Sequence, residues 1–347
     1  MPNVESVTEG CRFKEAYKMM KLDLLKKGVV FLIVFILVSV GTIPIIATET
    51  LKKETPIEKI TNESISDDPP EYFSWRDYQG EDWTTPAKDQ GSCGACSVFG
   101  AIGSLESVIK IREGYADFDP NLSEQYVLSC LREAADFPGI GICFGGSAAN
   151  VFKYIMETTP EGNDCNGIIL ESCFPYQASD DVPCSDKCED WQEYLVPIID
   201  YGFEILDGSI DERELIKNMV MEKGPVAVSS KLPFFFYSPE LAFFNPFGGF
   251  GNDVHDPNAY FPAGRSYFNI IGHYLLIVGW KDNESISNGG YWMCKNSWGT
   301  DWGYDGFVNI EYGALSFDCP CIINKVFEHH IVWVDYDPES YKWPFET

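Results

Sequence analysis

The sequence is short of positive charge. It carries 25 Lys and Arg against 53 Asp and Glu, for a formal net charge of −28. Such a surface repels phosphate backbones and anionic lipid headgroups, which argues against a nucleic-acid role. Histidine is scarce as well. There are four, His255, His273, His329 and His330, so histidine chemistry has few places to reside. Cysteine is almost missing from the first 90 residues, where Cys11 stands alone. CxxC spacing occurs at Cys93 to Cys96, but no second matching pair follows, which argues against a metal cluster. No internal repeat or long low-complexity tract is visible.

What is present points to a packed, exported body. The 347 residues are enough for a large core and more than one domain. Hydrophobic residues make up 45% and aromatics 15%, which argues against disorder. Of the 12 cysteines, 11 follow residue 90. That density reads as an oxidising compartment with several disulfides; buried, reduced thiols are the alternative. Residues 28–48, GVVFLIVFILVSVGTIPIIAT, hold no charge and follow Lys26 and Lys27. The run is long enough to cross a bilayer as a helix, and its basic flank keeps residues 1–27 in the cytoplasm and sends the body outward. It reads as a transmembrane anchor or as a signal segment, which from a start at Met19 or Met20 would end at Ala47. The polar residues 49–71, with Pro56, Pro69 and Pro70, read as a tether.

Chemistry first shows in the stretch TPAKDQGSCGACSVFGAIGSLES, from Thr85 to Ser107. Its first half is Gly-rich and turn-like. From Ala95 the apolar residues Val98, Phe99, Ile102, Leu105, Val108 and Ile109 recur at helical steps, predicting a helix with one buried face. Cys96 then falls in the first turn, where the helix dipole and unpaired N–H groups favour a thiolate. A cysteine at a helix start is by itself a weak signal, since it can equally be structural. The surrounding pattern, QGSCGAC from Gln90 to Cys96, resembles the active-site motif of papain and the cathepsins. That resemblance makes Cys96 the nucleophile and gives Gln90 a side-chain N–H for the oxyanion. Ser74-Trp75-Arg76 and Thr85-Pro86 sit where that family has its first mature strand.

Two further segments extend the likeness. Residues 269–280, NIIGHYLLIVGW, read as a buried strand opened by His273. A lone histidine there would ordinarily be a satisfied core residue, yet GHYLLIVGW resembles the family's histidine motif. YWMCKNSWGTDWGYDGF, from Tyr291 to Phe307, resembles its asparagine motif. By resemblance His273 is the general base and acid, Asn296 orients its imidazole, and Trp298 shields that hydrogen bond at the edge of the substrate site. The order Cys, His, Asn is the family's. The wide Cys96-to-His273 spacing implies an insertion, assigned to the aromatic, Gly-rich stretch from Phe234 to Arg265; His255 within it reads as surface.

The resemblance also orders the cysteines. It pairs Cys93 with Cys143 and Cys130 with Cys184, so the CGAC is neither a redox nor a metal motif. Cys143-Phe-Gly-Gly146 resembles a family loop whose glycines, here Gly145 and Gly146, bind substrate backbone. Ser123 is placed to cap a helix that leads to Cys130. Cys165, Cys173, Cys188, Cys319 and Cys321 are unassigned, and Cys294 falls in a presumed buried strand as a thiol outside these pairs.

The expected fold is therefore α+β and papain-like. Its peptidase domain spans 72–325, helical over about 85–195 and β-rich over about 196–325, with the active site in the cleft between and 326–347 as a C-terminal tail. The expected function is hydrolysis of peptide bonds in proteins or peptides through a thioester, with no metal or organic cofactor and an open oligomeric state. Two alternatives stand beside it, a catalytically silent binding protein on the same fold and acyl transfer to amines. Two departures from the family matter. Ser97 follows the nucleophile where relatives carry an aromatic, usually Trp. The segment between the apolar run and the domain is also shorter than the family's inhibitory propeptide.

Overall fold

The computed structural model describes residues 55–63, 68–131, 143, 145–158, 166–206, 212–233, 256–258, 260–261, 270–314 and 329–343. The expected membrane segment 28–48 and most of the insertion lie outside them, as do His255, Cys165, Cys319 and Cys321. No helix among the described residues is long and apolar enough to cross a membrane.

The elements run α1 (Pro56–Glu63), β1 (Tyr72–Ser74), α2 (Cys96–Glu113), α3 (Glu124–Tyr126, continued by a π-type turn, Val127–Leu131), α4 (Ala148–Glu157), β2 (Asp200–Leu206), α5 (Glu212–Lys223), β3 (Val226–Pro233), β4 (Ile270–Asp282), β5 (Gly290–Lys295), β6 (Phe307–Glu311) and β7 (His329–Asp335). The sheet order is β2-β7-β3-β4-β5-β6, and β1 pairs with β4. Every ladder among the described residues is antiparallel.

β4 is the axis of the molecule. Its run Tyr274-Leu-Leu-Ile-Val278 is apolar on both faces, as expected for a strand covered on both sides. Tyr274, Leu276 and Val278 join a core with α2, α3 and α4. Leu275 and Ile277 join a second core with α5, β1, β5 and β6. The site sits where these two cores meet.

α2 departs from its sequence pattern. The periodicity predicts one buried face, yet the helix is buried from Cys96 to Ile111, because it packs against α4, β3, β4 and β7 at once. Its polar residues survive burial by finding partners. Ser104 Oγ donates to Pro225 O at 2.6 Å, Ser107 Oγ to Gly103 O at 2.8 Å, and Lys110 Nζ to Thr84 O at 2.7 Å. Gly114, at φ 66°, ends the helix in the left-handed conformation that glycine adopts without strain. Ser123 Oγ accepts from the Tyr126 N–H at 3.0 Å and so caps α3.

Two segments read as loose from the sequence are packed. Within 49–71, taken as a tether, α1 buries Ile57 and Ile60 beside Ile111, Ile216 and Val220. Its start is a capping box: Thr55 N donates to Glu58 Oε2 at 2.8 Å and Glu58 N to Thr55 Oγ1 at 3.3 Å, with Pro56 at the first helical position. Within 326–347, taken as a tail, β7 pairs with β2 and β3. Beyond it Tyr336, Tyr341 and Trp343 bury against the helical core. Tyr336 donates its hydroxyl to Glu113 Oε1 at 2.8 Å, and Trp343 Nε1 donates to Tyr336 at 3.0 Å. Burial of these aromatics outweighs the polar residues between them.

Candidate active site

Cys96 is the first residue of α2. The turn before it is held by the Cys93–Cys143 disulfide and by the Gly94 N–H, which donates to Cys143 O at 2.9 Å. A Cβ on Gly94 would stand 2.5 Å from that oxygen, so only glycine permits this approach. The thiol is almost fully buried. Its partners are the backbone N–H groups of Tyr274, Ser97 and Cys96 itself; burial raises its pKa and these hydrogen bonds lower it, with a net rise. The contact with Tyr274 seats the thiol beside the residue that follows His273.

His273 enters from β4 on the face opposite Tyr274. Its Nε2 lies 2.8 Å from Asn296 Oδ1, a bond buried in the protein. An amide oxygen only accepts, so Nε2 carries the proton and Nδ1 is left for the thiol. The Ser297 N–H also donates to Asn296 Oδ1, at 2.8 Å, which fixes the amide's orientation. Trp298 lies over the imidazole, 4.9 Å between ring centres, and is itself braced edge-on by Trp302 at 5.1 Å. Burial pulls the His273 pKa from 6.5 to about 4, with the Asn296 hydrogen bond opposing it.

Gln90 stands between the two halves. Its backbone N–H donates to Ser297 O at 2.9 Å. Its Nε2 donates to Cys93 O at 2.8 Å, and its Oε1 accepts from Ser297 Oγ at 2.5 Å. An amide nitrogen has two hydrogens, so one remains for a ligand. The sequence did not single out Ser297, although it lies between Asn296 and Trp298. Tyr176 was also missed; its hydroxyl donates to Gln90 O at 2.8 Å, and nothing local in the sequence marks it.

Gly145 has φ 112°, beyond the reach of an ordinary side chain. Gly146 is exposed and packs on Ser97: a Cβ there would lie 3.0 Å from Ser97 Oγ. Ser97 is fully buried, and its hydroxyl is without a hydrogen-bond partner, as is Asn296 Nδ2. Gln90, Cys96, His273, Asn296 and Trp298 thus converge on one place, with Gly145 and Gly146 at its edge. Cys130 is bonded to Cys184, and Cys173 to Cys188, a pair the sequence left open. Cys294 is buried in β5 and not disulfide-bonded.

Residues 69–243 and 256–327 match the family model described as papain family cysteine protease. The chain belongs to that family. The gap in the match falls inside the stretch read as an insertion. Cysteine proteinase 1 of Entamoeba histolytica is 29% identical over 67% of this chain and 62% of its own length. Procathepsin L of Rattus norvegicus is 31% identical over 70% of this chain and 60% of its own. The chain thus spans about three fifths of these curated relatives. A solved recombinant stem bromelain precursor shares 26% identity over 78% of this chain and 71% of its own, with a TM-score of 0.51. The α+β fold is the papain family's.

Proposed function

We propose that the chain is a cysteine endopeptidase acting on protein or peptide substrates. The observation that carries it is a thiol at a helix start, against the backbone N–H of Tyr274, next to His273, whose imidazole Nε2 is tied to Asn296 at 2.8 Å. In this reading His273 Nδ1 takes the Cys96 proton and the thiolate attacks the peptide carbonyl. Burial opposes each charge singly. The transfer creates both charges together in a low dielectric, where their attraction is strongest. The oxyanion is held by the Cys96 N–H and the remaining Gln90 Nε2 hydrogen. His273 then protonates the leaving amine, and water hydrolyses the thioester. Gly145 and Gly146 receive the substrate backbone, and Trp298 keeps water from the His273–Asn296 bond.

The body works outside the cytosol in this reading, secreted or held at the exoplasmic face by residues 28–48. The three disulfides among the described residues support an oxidising compartment. External protease should digest the body in intact cells; a protected body lacking disulfides would overturn the topology. For the chemistry, an epoxide inhibitor should alkylate Cys96 ahead of the other cysteines. Labelling undiminished in Cys96→Ala would overturn the assignment. Mass spectrometry of products with and without added amine separates hydrolysis from acyl transfer.

A further inference from the structure

Tyr176 takes no part in the thiol–imidazole pair, yet it touches the turn that leads to the thiol. Its hydroxyl donates to Gln90 O at 2.8 Å. Its ring stands edge-on to Phe99 of α2, with 4.9 Å between ring centres. Burial, and then the carboxylates of Glu124, Asp89 and Glu171, raise its pKa, so the hydroxyl keeps the proton it donates.

The segment that carries Tyr176 is bonded to the start of α3. Phe174 O accepts from Ser123 Oγ at 2.6 Å, the Gln177 N–H donates to Gln125 Oε1 at 2.9 Å, and Ser179 O accepts from Gln125 Nε2 at 2.8 Å. The Tyr176 N–H donates to Glu171 Oε1 at 2.7 Å. The Cys173–Cys188 disulfide closes the segment. Tyr176 is thus a fixed post of the helical subdomain.

The turn it meets has a point of freedom. The Gln90 N–H is held by Ser297 O from the β-rich side at 2.9 Å, and the Gln90 carbonyl by Tyr176 from the helical side. The peptide plane after Gln90 ends on Gly91, at φ 57°. Glycine takes either sign of φ, so this plane can rotate at little cost. Its N–H donates to Asp89 Oδ1 at 2.8 Å, but that bond is exposed and water competes for it. The Tyr176 bond is partly buried and so decides the orientation of the plane. Gln90 and Cys96 stand at the two ends of this turn. Gln90 Nε2 and the Ala95 N–H both donate to Cys93 O, each at 2.8 Å, so a rotation at Gly91 is felt at both ends.

We propose that Tyr176 is a positioning residue for the oxyanion: by locking the Gln90–Gly91 peptide plane, it sets the distance between Gln90 Nε2 and the Cys96 N–H. This rests on the reading of those two groups as the oxyanion donors. Tyr176 acts through Gln90 and touches no substrate. Its loss should therefore cost less than loss of a donor itself, which is on the order of 10²–10³-fold.

The test compares two reactions of Cys96 in the full-length chain in mild detergent. One is hydrolysis of a fluorogenic peptide, which passes through an oxyanion. The other is alkylation by iodoacetamide, in which an S–C bond forms, the C–I bond breaks to release iodide, and no oxyanion develops. Tyr176→Phe keeps the ring on Phe99 and removes only the hydroxyl. It should lower kcat/KM by about tenfold or more, through kcat with KM little moved, and leave the alkylation rate within about twofold. Added to Gln90→Ala, it should cost less than about twofold further. An unmoved kcat/KM in Tyr176→Phe overturns the proposal. An alkylation rate that falls in step with kcat/KM does so too, because it marks a tyrosine that only supports the fold. Losses that add fully to those of Gln90→Ala have the same meaning. The peptidase reading survives all three results. A wild-type chain whose Cys96 is alkylated but which hydrolyses no peptide overturns both.

Discussion

Lys295 and Asn296 are neighbours at the end of β5, yet they serve buried polar groups of opposite design. Lys295 turns to a closed ionic cluster. Its Nζ donates to Thr85 Oγ1 at 2.8 Å, Thr85 Oγ1 donates to Glu106 Oε2 at 2.8 Å, and Lys88 Nζ reaches Glu106 at 2.7 Å and Glu124 at 2.9 Å. Glu106 also accepts from the Leu122 N–H at 2.9 Å, and Lys88 donates to Leu122 O at 2.9 Å. Asn296 turns to a site left open. Its Nδ2 and the Ser97 hydroxyl have no partners, and the thiol and imidazole beside them are each biased toward neutrality. The difference teaches where ligand chemistry can act. A saturated cluster has nothing further to offer a ligand, whereas orphaned polar groups beside a nucleophile gain when one arrives.

Charge behaves differently in the two groups as well. Burial pulls Lys88 down, and Glu106 and Glu124 more than restore it, so it sits above its ordinary value. Burial raises Glu124 to about 7 against the pull of Lys88, and lowers Lys295 to about 8 against that of Glu106. In this cluster each ion is held by counter-ions. At the candidate site burial outweighs the hydrogen bonds that oppose it at Cys96 and His273.

The contrast predicts that removing an active-site group destroys activity and spares stability, while the cluster does the reverse. Cys96→Ala should lower the peptidase rate by on the order of 10⁴-fold or more, and adding His273→Ala should cost little beyond it, because the two act as a unit. Steady-state rates on a fluorogenic peptide check this; additive losses would sink the paired reading. Lys88→Met strips the counter-ion from two buried carboxylates and should cost about 3–5 kcal/mol. Chemical denaturation would read it, and an unchanged midpoint would show that the cluster is not structural.

His273 itself supplies a pH test. The folded imidazole stays neutral to about 4, whereas the unfolded one protonates near 6.5. Between these values the unfolded state binds the extra proton, so stability is lost as pH falls. The stability of wild type relative to His273→Phe should therefore drop from about pH 6.5 to about pH 4 and level off below, by on the order of 3 kcal/mol in all. A flat difference would mean the imidazole is solvated. Ser97→Trp should be destabilised by about 1–3 kcal/mol, since the serine is fully buried against Gly146. A tryptophan form that gains activity without losing stability would mean that Ser97 marks a decayed site.

The groups that meet at the candidate site were legible because their motifs are local. Gln90 and Cys96 lie on one turn and helix start, and His273 is the fourth residue of one strand. Asn296 follows another. What escaped was long-range. Tyr176 meets Gln90 across 86 positions, and Ser297 orients the Gln90 amide across 207. The docking of α1 was missed although its capping box, Thr55-Pro-Ile-Glu58, is written in the sequence. Its two buried isoleucines form too short a pattern to distinguish a helix from a polar linker.

By itself the sequence determined the periodicity that makes α2 and β4, the turn that puts a cysteine on a helix N-terminus, and a chain with few basic residues. These follow from neighbours a few positions apart, where backbone geometry alone dictates which side chains share a face. Tertiary structure decided the rest. It buried α2 on all sides and recruited residues 329–335 into the sheet. It balanced Lys88 against Glu106 and Glu124. Each of these depends on which distant surfaces exclude water together, and that is fixed only when the two cores close on β4.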